Sequence, residues 1–148
     1  MKRADRLEPV QKIVDDTERR LAEHYAAAER LLQVSEQKLQ ELNSYRDDYT
    51  QGFARRAGDG MGARDLVDYQ AFMVRLNEAI NQQSQVVQHA RNECEVQRKR
   101  WQEAAQRAKA LGHVIESWQQ EELRASNRRD QRETDERAQR RRAASHEH

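Results

Sequence analysis

Fifteen positions between Tyr69 and Trp118, alternately four and three residues apart, constrain this chain more than any other feature. They read Tyr69, Met73, Leu76, Ile80, Gln83, Val87, Ala90, Cys94, Gln97, Trp101, Ala104, Ala108, Leu111, Ile115 and Trp118, and thirteen of the fifteen are apolar. An α-helix brings residues at this spacing onto one stripe, and a stripe sustained over seven heptads is a coiled-coil seam. Such a helix needs a partner to cover it.

The first half of the chain offers one. Leu7, Val10, Val14, Thr17, Leu21, His24, Ala28, Leu31, Ser35, Lys38, Leu42, Tyr45 and Tyr49 follow the same spacing, and nine of these thirteen are apolar. Between the two seams, residues 50–65 read TQGFARRAGDGMGARD and hold four of the five glycines. Glycine costs a helix interior about 1 kcal/mol relative to alanine, so the cluster predicts a turn. Gly52 suits a helix C-cap and Asp65 the next N-cap. The expected fold is all-α: a long antiparallel coiled-coil hairpin forming a single domain over 1–148. Helix 1 is placed at about 5–51, the turn at about 52–64 and helix 2 at about 65–140. One register aligns both seams, setting Leu42 against Leu76, Leu31 against Val87, Val14 against Ala104 and Leu7 against Leu111. It also sets Ser35 opposite Gln83, a polar layer of the kind that fixes register. On this reading Leu111 is the last partnered residue and helix 2 continues alone. The fifth glycine, Gly112, then marks the place where support ends.

Composition narrows the function. Ala, Glu, Lys, Leu and Arg supply 72 of 148 residues, the mixture of long helices. The 27 basic and 26 acidic side chains nearly cancel, which suits a solvated helix surface better than a nucleic-acid binder. No run of 18 apolar residues is long enough to span a membrane, and the N-terminus MKRADRLEPV lacks the apolar stretch of a signal peptide. The single cysteine fits a reducing compartment. No catalytic, cofactor-binding or metal-ligating constellation is evident. GDGMG lacks the lysine of a phosphate loop, the five histidines show no i, i+4 pairing, and Cys94 falls on the seam. The chain reads as a non-enzyme.

Two regions exceed what a hairpin requires. Tyr45, Tyr49, Phe53, Tyr69 and Phe72, five of the eight aromatic residues, gather near the turn. They serve either as anchors for a partner or as the closure of a thin core. The other region is the overhang beyond Leu111. Ile115 and Trp118 have no expected partner in the hairpin, and eight arginines with six acids follow between 119 and 142. Either it is a solvated helix end, or it docks on a partner.

The order of these features resembles a known family. The N-terminal LEPVQKIVDDTERRLAEHYAAAERLL, the interrupted turn and the ending NRRDQRETDERAQRRR, with Asp135, Glu136, Ala138 and the Arg140–Arg141 pair, are together similar to the flagellar export protein FliJ family. The resemblance implies a cytoplasmic, non-enzymatic component of the bacterial flagellar type III export apparatus. It would be peripherally associated with the inner membrane at the flagellar base. Family members act as a stalk that binds the hexameric export ATPase, FliI, and promotes ring assembly. They link the ring to the cytoplasmic domain of the export gate protein, FlhA, and handle export chaperones. The gate-binding surface carries over onto Leu42, Tyr45, Tyr49, Phe72, Leu76 and Ala79. Stalk geometry assigns Trp118, Arg128, Arg129 and Arg137 to the ATPase ring. The chain is then expected to be a monomer. The alternatives are the equivalent stalk of a virulence type III secretion system and a generic coiled-coil adaptor that dimerises through an exposed seam.

Overall fold

A computed structural model describes residues 2–146. The chain forms two helices packed against each other, α1 (Arg3–Gly58) and α2 (Ala63–His146). No strand occurs among the described residues. Both helices run through two compact units, one of Arg19–Gln102 and one of Met1–Glu18 with Glu103–His148.

Helix α2 buries its seam as the spacing requires: each of the fifteen positions from Tyr69 to Trp118 is buried or half-buried. In the Arg19–Gln102 unit the core includes Ala28, Leu76, Ile80 and Val87, with Ser35 and Gln83 as a buried polar layer. The Gln83 Nε2 group donates to the Ser35 carbonyl at 3.0 Å, so the expected polar pairing is formed.

Helix α1 differs from the expected seam at alternate positions. Ala4, Leu7, Gln11, Val14, Glu18, Leu21, Tyr25, Ala28, Leu32, Ser35, Leu39, Leu42, Arg46, Tyr49 and Phe53 form one stripe that is buried or half-buried at every position. Val10, His24, Leu31, Lys38 and Tyr45, read as seam residues, are exposed, while Thr17 is half-buried. Leu31 therefore does not face Val87; it is 68% exposed and its neighbour Leu32 turns inward. Gln11, Glu18 and Arg46 are admitted to the seam because long polar side chains cover apolar surface with their stems and keep their heads in water. Arg46 carries its guanidinium out to Asn77 Oδ1, at 3.3 Å.

The turn is shorter than the glycine cluster suggests. Helix α1 runs through Gly52 to Gly58, and Asp65 lies inside the first turn of α2 instead of capping it. The chain reverses over residues 59–62, where Asp59 N–H and Gly60 N–H reach back three residues to the Arg56 and Ala57 carbonyls at 3.1 and 3.3 Å. These i→i+3 bonds tighten the helix end. Gly60 has φ +94°, a conformation other residues adopt only with strain. The two glycines therefore respond oppositely to alanine. A Cβ at Gly52 meets nothing within 4 Å, and Gly52→Ala is expected to raise the unfolding free energy by about 0.5–1 kcal/mol in urea titration. Gly60→Ala is expected to lower it by about 1 kcal/mol.

In the second unit, Ile115 and Trp118 are partnered, contrary to the expectation of a bare overhang. Ile115 is 5% exposed and Ala4, at the start of α1, 1%. The Arg3 guanidinium lies 4.7 Å from the centre of the Trp118 ring and pairs with Glu121 at 3.2 Å. The Ala4 backbone N–H donates to Glu122 Oε1 at 3.5 Å. The first N–H groups of a helix lack partners within it, and its N-terminus favours negative charge, so Glu122 caps α1 from the other helix. Gly112 is helical, and a Cβ there would lie 3.9 Å from Gln11 Nε2. It marks no end of support, and of the five glycines only those at the turn mark a boundary. Coverage stops at Ala125 and Ser126, and residues 127–146 are exposed throughout.

Candidate functional site

The aromatic residues near the turn form one continuous contact chain. Phe53 stacks on Tyr69 at 3.6 Å between ring centres, and Tyr69 on Tyr49 at 5.5 Å. Tyr49 meets Phe72 at 4.4 Å, and Tyr45 packs edge-on against Phe72 at 6.0 Å and beside Tyr49 at 6.2 Å. Aromatic pairs in these geometries contribute about 0.5–1.5 kcal/mol each beyond their buried area. The cluster therefore closes the core, and its outermost member still offers an aromatic face: Tyr45 is 51% exposed. Of the other residues expected at a gate contact, Leu42, Tyr49, Phe72 and Ala79 are half-buried and Leu76 is buried at 7% exposure. Leu76 supports that surface from beneath.

The heptad phase of α1 gives the Arg19–Gln102 unit two unlike sides. One side is polar. Arg91 pairs with Glu36 at 3.3 Å, and Arg98 donates to Glu95 through Nε at 2.9 Å. The Arg98 guanidinium holds the Glu95 carboxyl below the usual carboxylate range. Tyr25, stacked on Trp101 at 5.9 Å, and Cys94 line a hollow on this side with Glu29 and Glu36. Partial burial, reinforced by the Glu29 carboxylate, raises both the Tyr25 hydroxyl and the Cys94 thiol above their ordinary values. A thiol shifted upward carries less thiolate and is a poor nucleophile, in keeping with a structural Cys94. The opposite side is apolar: Leu31, Val34 and Val86 stand exposed there around a groove. Sequence periodicity missed this groove because it assigned Leu31 to the core.

The residues expected at the ATPase ring divide. Trp118 is half-buried under Arg3, whereas Arg128, Arg129 and Arg137 lie on the exposed stretch of α2. No group of three or more His, Cys, Asp or Glu residues suited to a metal occurs among the described residues, and no described helix is long and apolar enough to cross a membrane.

Comparison with known proteins gives a consistent answer. The family model described as Flagellar FliJ protein matches residues 1–147. The chain is similar to the Flagellar FliJ protein of Salmonella typhi, with 31% identity over 130 residues, 88% of this chain and 86% of the relative. It is similar to that of Escherichia coli (strain K12) at 30% identity over the same shares of both chains. No solved structure matches.

Proposed function

The chain belongs to the Flagellar FliJ protein family, and from that premise we propose that it is a non-enzymatic component of the flagellar type III protein export apparatus. It acts in the cytoplasm at the flagellar base, bound to the membrane only through the export gate. It links the export ATPase FliI to the cytoplasmic domain of FlhA and handles unloaded export chaperones. Both relatives carry flagellar names, which favours this reading over a virulence stalk.

The aromatic chain near the turn is the observation that carries the gate contact. Interface hot spots are large, rigid side chains on a desolvated floor, and Tyr45 stands exposed over half-buried Tyr49 and Phe72. Leu42 and Ala79 extend the surface, and Leu76 forms its floor. On the exposed stretch of α2, Arg128, Arg129 and Arg137 offer charge to the ATPase ring. An asymmetric pair of helices meeting a six-fold ring favours one subunit interface at a time, and so couples ATP turnover to the gate.

Binding of the FlhA cytoplasmic domain, measured calorimetrically, tests the gate contact. Tyr45→Ala is expected to weaken it about thirtyfold, the loss of a hot spot worth about 2 kcal/mol. The substitution also removes the ring contacts with Tyr49 and Phe72, so the melting temperature should fall modestly, and affinity is measured where helical ellipticity shows the variant folded. Unaltered affinity would remove the aromatic surface from the gate contact.

A further inference from the structure

One apolar feature lies outside the six positions assigned to the gate. In the Arg19–Gln102 unit, Leu31 and Val34 of α1 and Val86 of α2 wall a groove of about 510 Å³ floored by the Ser35–Gln83 layer. The three side chains are 68%, 63% and 51% exposed, although each is a large aliphatic. Nothing in the folding of the hairpin requires them, since the seam is complete with Leu32, Ser35, Gln83 and Val87.

The groove has charged ends of opposite sign. Lys38 borders it toward the turn and Glu93 at the far end. The Ser35–Gln83 pairing sets Lys38 level with Ile80, and Glu93 stands thirteen residues further along α2, about 20 Å at 1.5 Å per residue. Glu93 Oε1 accepts a hydrogen bond from Gln97 Nε2 at 2.9 Å, which holds that carboxylate at the rim. Between the two charges Leu31, Val34, Val86 and the small Ala28 and Ala90 line the groove, together with His89.

We propose that this groove receives one amphipathic helix of a partner protein, of about fourteen residues. The helix places apolar side chains at i, i+3, i+4 and i+7 against Leu31, Val34 and Val86, an acidic residue at Lys38 and a basic residue at Glu93. Shape decides against a second copy of this chain as the occupant. Two identical concave surfaces face to face leave both hollows unfilled, whereas the ridge of a single helix fills one and completes a three-helix bundle. Charge then sets the pairing, because exchange of either end charge puts like charges together.

The test uses the full chain and a labelled helical peptide of about fourteen residues. Its leucines lie at i, i+3, i+4 and i+7, with glutamates in one terminal turn and arginines in the other. Fluorescence anisotropy reports binding, and circular dichroism verifies that each variant stays helical. Leu31→Asp and Val86→Asp are each expected to weaken binding about tenfold or more. Lys38→Glu alone and Glu93→Lys alone should each weaken it about threefold to tenfold. The double variant Lys38→Glu/Glu93→Lys should restore it, because the peptide enters reversed. Recovery in the double variant separates a seated helix from adhesion to any apolar surface. Absence of binding, indifference to Leu31→Asp, or a double variant weaker than both singles overturns the proposal. So does sedimentation showing a dimer of the chain that Leu31→Asp dissolves, since the second copy would then be the occupant.

Discussion

Ile80→Ala should lower the unfolding free energy by about 2–4 kcal/mol, the cost of removing three buried carbons from a packed site. Leu31→Ala should change it by less than about 0.5 kcal/mol. Both residues sit at regular heptad spacing on helices that pack together, and both are large aliphatics. Ile80 is 7% exposed and Leu31 is 68% exposed. Leu32→Ala, one residue along and half-buried, should cost about 1–2 kcal/mol. Urea titration of the three variants followed by helical ellipticity decides the matter. A Leu31→Ala loss as large as that of Ile80→Ala would restore the simpler seam and remove the apolar groove.

That comparison also locates the boundary of what sequence could establish. The α2 seam was readable because thirteen of its fifteen positions are apolar, against ten of fifteen on the stripe stepping 69, 72, 76, 79 and onward, and every one of the fifteen is covered. Helix α1 offers two stripes of equal quality. From residue 7 to residue 49, stepping 7, 10, 14, 17 and onward gives nine apolar residues in thirteen, and stepping 7, 11, 14, 18 gives nine in thirteen as well. The two share Leu7, Val14, Leu21, Ala28, Ser35, Leu42 and Tyr49, so composition cannot choose between them. Packing against α2 makes the choice, for example by setting Tyr25 on Trp101. The Leu31–Leu32 pair shows the ambiguity in two letters: one leucine is core and the other is surface. The glycine cluster marked the turn correctly and its length wrongly, since packing outweighs the roughly 1 kcal/mol that Gly52 costs α1.

The cover over Ile115 and Trp118, where periodicity predicts a bare overhang, has a geometric cause. In a helix every side chain leans toward its own N-terminus. In an antiparallel pair, α1 side chains near the start of the chain therefore reach toward later α2 residues, and those α2 side chains lean back to meet them. Arg3 consequently meets Trp118 and Glu121, well past a partner assigned by counting seam positions alone. The aromatic surface was legible as a concentration of residues near the turn. Its division into exposed Tyr45 and buried support was not, because that depends on the phase of α1.

Where coverage ends determines how the ATPase contact is tested. A chain ending at Leu111 loses Ile115, Trp118 and Glu122 together, and with them the cover over Ala4 and the cap on α1. It should be about 2–4 kcal/mol less stable, so lost stimulation of the export ATPase would not distinguish a missing contact from a weakened fold. A chain ending at Ser126 removes only exposed residues and should unfold at the same urea concentration as the full chain. If Arg128, Arg129 and Arg137 engage the ring, this shorter chain returns ATP hydrolysis to the rate of the ATPase alone. It should still bind the gate domain through Tyr45. Full stimulation by the Ser126-ended chain would instead move the ring contact inward, to the surface where Arg3 covers Trp118. Arg3→Ala would then be the variant that loses it, because the guanidinium ties the start of α1 to α2 at Trp118 and Glu121.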